Sequence, residues 1–272
     1  MAVIPDADPD DPRLSRFRIV RDAALIRDHG LFVAEGRLVV ERVVTDRRDA
    51  LDALLLNDAS LAALGPAVAS LPETTPVFVA ERHLFEHITG FDVHRGCLAL
   101  VRRPPAIAFE SAIADARLVI VLEGVTNADN VGSVFRSAAA FGAGAVLLSP
   151  TCCDPYYRKA IRTSMGAVLQ VPSARIEPWP AGLSALRAVG FSIVALSLRQ
   201  PSVDLDEFIA SSLPARIALL VGTEGPGLSR DAEDVADQRV RIPINTSVDS
   251  LNLGVAAGIV LSRLRGSHGV WQ

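Results

Sequence analysis

The chain is predicted to be an α/β protein with a small α/β unit followed by a larger one, built on a mostly parallel sheet with helices on both faces. Three observations lead there. At roughly 150 residues per domain, its 272 residues suggest one large domain or two small ones. An adjacent pair, Pro104-Pro105, interrupts the pattern in the first half, and two prolines forbid a helix and disfavour a central strand. Beyond that pair, short apolar runs with little alternation recur between helical stretches, as expected of strands covered on both faces. The boundaries read 1–103 for the first domain, 104–115 for a linker and 116–272 for the second domain.

In the first domain, helical spacing covers 13–28, 37–48, 60–70 and 81–88. Strands are expected at 31–34, 51–56, 77–79 and 98–101. In the second, strands are expected at 118–122, 145–148, 168–171, 192–196, 217–221 and 240–242. The helices between and after them read 131–141, 156–163, 183–189, 229–236 and 253–264.

Composition limits the function classes. Half the residues are apolar and 21% are charged, the profile of a folded globular chain. Of 27 basic residues only Lys159 is a lysine. Arg158 precedes it where a Walker A loop needs glycine, so P-loop chemistry is excluded, and Schiff-base chemistry is confined to that one residue. Cys97, Cys152 and Cys153 form no C-x-x-C pair, which argues against a zinc finger and a secreted disulfide framework. The opening residues have neither a basic n-region nor an apolar h-region, and no apolar run approaches the ~18 residues of a membrane span. A cytoplasmic protein without a membrane partner is expected. The net charge of −4 does not mark a nucleic-acid binder, but nine arginines against five acids between 13 and 48 leave a local basic face. His83-Leu84-Phe85-Glu86-His87 spells H-x-x-E-H, a metalloprotease-like pattern. With no third ligand indicated nearby, no metal site is expected.

In parallel sheets ligands sit at the carboxyl ends of strands, and three loops there carry polar residues. The first runs from Glu123-Gly124 through Asn130-Val131-Gly132 to Arg136. Asp129 or Asn130 is expected to cap the helix that follows. Arg136 lies opposite the apolar stripe of Val131, Val134, Phe135 and Ala138, where either an anion or solvent could face it. The second is Gly222-Thr223-Glu224-Gly225-Pro226-Gly227-Leu228-Ser229. It lacks the third glycine of a dinucleotide fingerprint, and a tight structural turn would leave Glu224 without a role. The third, Ile242-Pro243-Ile244-Asn245-Thr246-Ser247-Val248-Asp249-Ser250-Leu251-Asn252, leads into a helix apolar on almost every side. Such a helix belongs in a core or at a subunit interface. Tyr156, Tyr157, Arg158 and Arg162 could stack on RNA or cap the core.

The series Asn130-x-Gly132-x-x-x-Arg136, Gly222-x-Glu224-Gly225-x-Gly227-Leu228-Ser229 and Ile242-Pro243…Ser250-Leu251-Asn252 resembles, in order, the three signature motifs of the SpoU (TrmH-like) RNA 2′-O-ribose methyltransferases of the SPOUT superfamily. The resemblance covers roughly 117–265. Phe32-Val33-Ala34-Glu35-Gly36 more loosely resembles the L30e-like RNA-binding domain that precedes the catalytic domain in many of these enzymes. The resemblance implies a deep trefoil knot at the carboxyl end of the sheet, against the general rule that knots are essentially absent. It also implies S-adenosylmethionine as cofactor, contacted by Gly222, Thr223, Glu224, Gly225, Ile242 and Leu251. The implied catalytic cluster is Arg136, Asn130, Glu224, Ser250 and Asn252, with Arg136 commonly supplied across a homodimer. One departure stands out: Thr246 occupies the place where the family has glycine. A β-branched residue disfavours positive φ, so Asn245 is expected to take the left-handed turn.

The implied reaction is methylation of a ribose 2′-hydroxyl in structured RNA, with ribosomal RNA favoured over tRNA because of the L30e-like leader. A guanidinium is not expected to lose its proton, so Arg136 is expected to grip a phosphate and stabilise charge on the 2′-oxygen, with Glu224 orienting it. Alternatives are a tRNA 2′-O-methyltransferase, a non-catalytic RNA-binding protein of the same fold, and a nucleotide-cofactor oxidoreductase, the last lacking its glycine fingerprint.

Overall fold

The computed structural model describes residues 2–19, 21–90, 93, 96–245, 247–248 and 250–267. The chain divides into two compact units, Met1–Pro105 with Asp154–Gly166, and Ala106–Cys153 with Ala167–Gln272.

The first unit contains β1 (Ala2–Ile4), α1 (Asp22–His29), β2 (Leu31–Glu35), α2 (Arg37–Asp46), β3 (Leu51–Leu56), α3 (Asp58–Ala69), β4 (Pro76–Val79), α4 (Arg82–Thr89) and β5 (Cys97–Arg102). Its sheet order is β1-β4-β3-β5-β2, with β1, β4 and β3 parallel and β5 antiparallel to both neighbours. The single helix expected over 13–28 is broken. A 3-10 segment, Pro12–Arg18, is capped by Asp11, and backbone at Ile19 and Arg21 is extended before α1 begins. Leu14 and Phe17 are buried within that segment, and Ile19 packs partly against the same core. Tertiary burial of a β-branched residue in extended backbone has overridden helical spacing.

The second unit contains α5 (Phe109–Ile113), β6 (Leu118–Glu123), α6 (Ala128–Phe141), β7 (Ala145–Leu148), then, after α7 (Arg158–Thr163) of the first unit, β8 (Ser173–Arg175), α8 (Ser184–Ala188), β9 (Ser192–Leu196), β10 (Val203–Asp204), α9 (Leu205–Ala210), β11 (Ile217–Gly222), α10 (Arg230–Val235), β12 (Gln238–Arg241) and α11 (Leu253–Ser267). The order β10-β12-β9-β11-β6-β7-β8 is joined throughout by parallel pairs. Alternate residues of β6 explain the unbroken apolar run. Val119 and Val121 pack with α5, α8 and α10, while Leu118, Ile120 and Leu122 are equally buried on the opposite face, the side where α6 and α11 pack on each other and on the sheet.

Two expectations are corrected in this unit. Residues 109–113 of the expected linker are helical, and Ala112 and Ile113 are in the core, so the extended connection is confined to the neighbourhood of the prolines. The apolar stretch 168–171 is not a strand. Ala167–Leu169 forms a buried 3-10 turn, and the strand starts at Ser173, after Pro172. Proline brings no N–H to a ladder, and the Pro172 carbonyl accepts the Val146 N–H at 3.0 Å, which sets the later register.

The segment 154–166 carries the tyrosines and arginines considered above for RNA stacking, and it completes the first unit. Tyr156 packs on Phe32 with centroids 5.0 Å apart, and the Arg103 guanidinium lies over the Tyr156 ring while pairing with Asp154 at 2.6 Å. Buried Glu35 faces Arg162 at 3.4 Å and Arg158 at 3.7 Å. The Asp22 carboxylate accepts the Arg158 N–H at the start of α7, at 3.0 Å. These contacts tie Tyr156, Arg158 and Arg162 into the first unit.

Burial pushes the Asp22 carboxyl above its ordinary range, against the pull of the Arg158 N–H and charge, and with neighbouring Asp154 and Glu35 adding to the rise. A carboxyl whose folded pKa is raised binds its proton more tightly folded than unfolded. Its contribution to stability is therefore greatest at low pH and declines as pH climbs through the raised value. Asp22→Asn keeps an acceptor for Arg158 and cannot ionise. In urea titrations at pH 4 and pH 7, it is expected to flatten this decline, whereas Asp22→Ala loses the cap and about 1 kcal/mol.

Candidate active site

The carboxyl ends of β9, β11 and β12, with α10 and the start of α11, surround a cavity of about 630 Å³ in the second unit. Gly222, Thr223, Glu224, Gly225, Ile242, Ser250 and Leu251 line it; Asn130, Arg136 and Asn252 do not. The glycine loop is folded back on itself. Gly227 donates its N–H to the Thr223 carbonyl at 3.1 Å, and Gly225 and Gly227 have φ of +82° and +71°. A methyl on Gly222 would overlap the Gly227 carbonyl and the Leu228 nitrogen. The close approach of two backbone segments explains why a strand here ends in glycine.

Asn252 binds three segments together. Its Nδ2 donates to Glu224 Oε1 at 2.6 Å and to Asn130 Oδ1 at 3.2 Å. Its Oδ1 accepts the N–H groups of Gly254 and Val255, capping α11. Asn130 is buried near the start of α6. The cap of α6 itself is Asn127, whose Oδ1 accepts the Asp129 N–H at 2.9 Å, and not Asp129 or Asn130 as expected. Because α6 begins at Ala128, Arg136 lies mid-helix, beyond the free N–H groups of the first turn. Arg136 is exposed and has no hydrogen-bond or ion-pair partner among the described residues. Within the chain Glu224 Oε1 is engaged by Asn252 and the Leu253 N–H.

Thr246 lies outside the described residues. Asn245 shapes the third loop through its side chain, whose Oδ1 accepts the Ser247 N–H at 2.9 Å. The non-glycine residues with positive φ among those described are Asp6 and Met165, so the left-handed turn expected at Asn245 is replaced by a side-chain turn. Gly254 of α11 packs inside the chain, where a Cβ would fall 2.6 Å from Ser133 Cβ of α6. Val255 and Ile259, on another side, are 53% and 36% exposed.

Sequence reasoning missed two acids. Buried Glu233 pairs with Arg199 at 2.6 Å and accepts from Ser197, and all three border the cavity after β9. Glu123 ends β6, buried and bonded to Trp179 and Ser229. The signal for Glu123 was available: an acid closing an otherwise apolar strand needs partners. His83, Glu86 and His87 belong to α4, His83 pairs with Glu81 at 3.1 Å, and no group of three potential metal ligands converges among the described residues.

A cavity lined by both apolar side chains and polar groups at the strand ends of a parallel sheet defines an α/β domain of the kind that holds nucleotide-sized ligands. Comparison with known proteins makes the class specific. The chain belongs to the SpoU rRNA methylase family, whose model matches residues 117–262, and is an RNA methyltransferase of that family. A protein of Mycobacterium bovis described as an uncharacterized tRNA/rRNA methyltransferase is 42% identical over 266 residues, 96% of this chain and 91% of its own. Among solved structures, an AdoMet-bound rRNA methyltransferase from Sinorhizobium meliloti is 23% identical, with TM-score 0.79 over 98% of this chain and 99% of that one. The SpoU methyltransferase AviRb from Streptomyces viridochromogenes is also 23% identical, with TM-score 0.75 over 94% and 97%. These two likenesses show the fold.

The Asn252 bridge leads to a direct prediction. Asn252→Asp puts a second carboxylate where an amide now meets Glu224 at 2.6 Å. It should destabilise the protein at neutral pH by about 0.5–1.5 kcal/mol, the ordinary net worth of a hydrogen bond. Denaturant titration measures the loss.

Proposed function

We propose that this RNA methyltransferase transfers a methyl group from S-adenosylmethionine to a ribose 2′-hydroxyl, most suitably in ribosomal RNA. The observation that carries the reading is the convergence of the second and third motif loops on one cavity of about 630 Å³, with Glu224 bonded to Asn252 beside it. That volume suits a nucleoside-sized donor, and the glycine loop offers backbone groups that side chains would otherwise cover. Gly222, Thr223, Glu224, Gly225, Ile242 and Leu251 would hold the donor, which supplies a methyl group on a positively charged sulfur. The fold-level expectation of a knot belongs to this reading, since it would be the means by which two strand-end loops enclose one donor.

The residues around the cavity then divide the work. Ser250, on the lining, would hold the hydroxyl. Asn252 has both amide hydrogens engaged, so it acts by fixing Glu224 and Asn130. Arg136 keeps its proton and would clamp the phosphate beside the target ribose while stabilising charge on the 2′-oxygen. Its exposure, and its lack of a partner among the described residues, support delivery to the cavity of a second copy. The exposed apolar residues Val255 and Ile259 on α11 suit such a homodimer. The first unit would recognise the RNA, and its L30e-like resemblance favours ribosomal RNA. A tRNA substrate is the second reading, favoured by the paired description of the mycobacterial relative.

Labelled methyl donor with separated rRNA and tRNA pools tests the substrate, and resistance of the product linkage to alkali identifies the 2′-oxygen as acceptor. Methyl incorporation into a base, or into neither pool, would overturn the reading. Arg136→Ala should abolish turnover while leaving affinity for S-adenosylhomocysteine within about twofold. If Arg136 acts across a dimer, co-refolding Arg136→Ala with Glu224→Ala chains should restore about a quarter of wild-type activity, because half the dimers regain one of two sites. Action within one chain would restore none.

A further inference from the structure

We propose that Glu123, outside the three motifs, is a positioning residue that closes the donor-binding glycine loop and sets donor affinity; this rests on the functional reading above. The loop leaves β11 at Gly222, whose register partner in the parallel neighbour β6 is Glu123 itself. It ends at Ser229, the cap of α10. The Glu123 carboxylate reaches across to that far end: Oε2 accepts the Ser229 N–H at 2.8 Å, and Oε1 accepts the Ser229 hydroxyl at 2.7 Å. Thus one side chain joins the start of the loop to its finish, while Gly222 and Gly227 touch between them. A third donor, the Trp179 indole N–H at 2.7 Å, holds Oε1 from a separate segment.

The chemistry of this carboxylate is unusual for a packing residue. It is 9% exposed, and its three donors (indole, hydroxyl and amide) are all neutral. Burial of an ion without a paired cation is costly unless hydrogen bonds replace its water. Bonds to an ionised acceptor are the strong ones, so the loop's return limb is held more firmly than a neutral side chain would hold it. A glutamine could accept through its one oxygen but would turn an amide N–H toward groups that are themselves donors. The loop would then lose its fixed height above β6, and the backbone groups lining the cavity would shift with it. Glu123 does not border the cavity, so its influence on the donor runs through Ser229.

The test is Glu123→Gln in the full-length protein, read by calorimetry with S-adenosylhomocysteine and by methyl-transfer kinetics on the RNA pool the wild type modifies. The expected result is at least about tenfold weaker binding and a matching rise in KM for S-adenosylmethionine, with kcat at saturating donor within about threefold of wild type. A role confined to stability would lower the melting temperature without this KM-against-kcat split. Ser229→Ala, which removes only the hydroxyl donor, provides a milder second variant, expected to weaken binding about two- to fivefold and to be non-additive with Glu123→Gln. If Glu123→Gln does not fold, Ser229→Ala decides. Wild-type affinity in a folded variant, or lost kcat with unchanged KM, overturns the role of Glu123 alone. Failure of the wild type to bind S-adenosylhomocysteine overturns the functional reading and this role with it.

Discussion

The side-chain amide of Asn252 is the point at which three segments from distant parts of the chain are made to agree. Its two hydrogens go to Asn130, near the start of α6, and to Glu224, in the loop after β11, while its oxygen caps α11. Each contact fixes the amide's orientation for the others, because only one way round places donors toward the two acceptors and the acceptor toward the helix. A network of this kind is strong when every member is satisfied and costly when one is lost. The position of Glu224 at the cavity, and of the first turn of α11 beside it, depends on that agreement.

The sheet makes the agreement possible. Parallel strands all end on the same edge, so loops far apart in sequence emerge side by side. The register that puts Glu123 opposite Gly222 is set by strands whose side chains are apolar on both faces. Above that edge the molecule uses backbone where another protein would use side chains. Gly222 lies too close to Gly227 and Leu228 for any Cβ, and the space saved becomes cavity wall. The exposed Glu224 carboxylate and main-chain groups of the glycine loop are thereby presented together around one volume.

The first unit shows a different use of charge. Glu35, Asp22, Arg158, Arg162, Asp154 and Arg103 form a mutually paired set that holds residues 154–166 against β2 and α1. Aromatic contacts between Phe32 and Tyr156 fill the space beneath. In sequence the same tyrosines and arginines look equally like an RNA surface. Partner acids that lie more than a hundred residues earlier, at Glu35 and Asp22, tie Arg158 and Arg162 into this unit.

The α/β class, the strands from 118 to 122 and from 217 to 221, and the residues of the glycine loop were all legible in the amino-acid order. Each depends on local properties: unbroken apolar runs, turn-forming glycines, and polar residues clustered just past a strand. Boundaries failed where tertiary burial outweighed local preference, as at Ile19 and at 167–169. Three matters were decided only in three dimensions. These were the unit to which 154–166 belongs, the bond between Glu224 and Asn252, and the bonds by which Glu123 joins the ends of a loop a hundred residues away. Spacing along a chain reports which face a residue prefers, but a hydrogen bond between distant segments exists only once the sheet has brought their strand ends to the same edge.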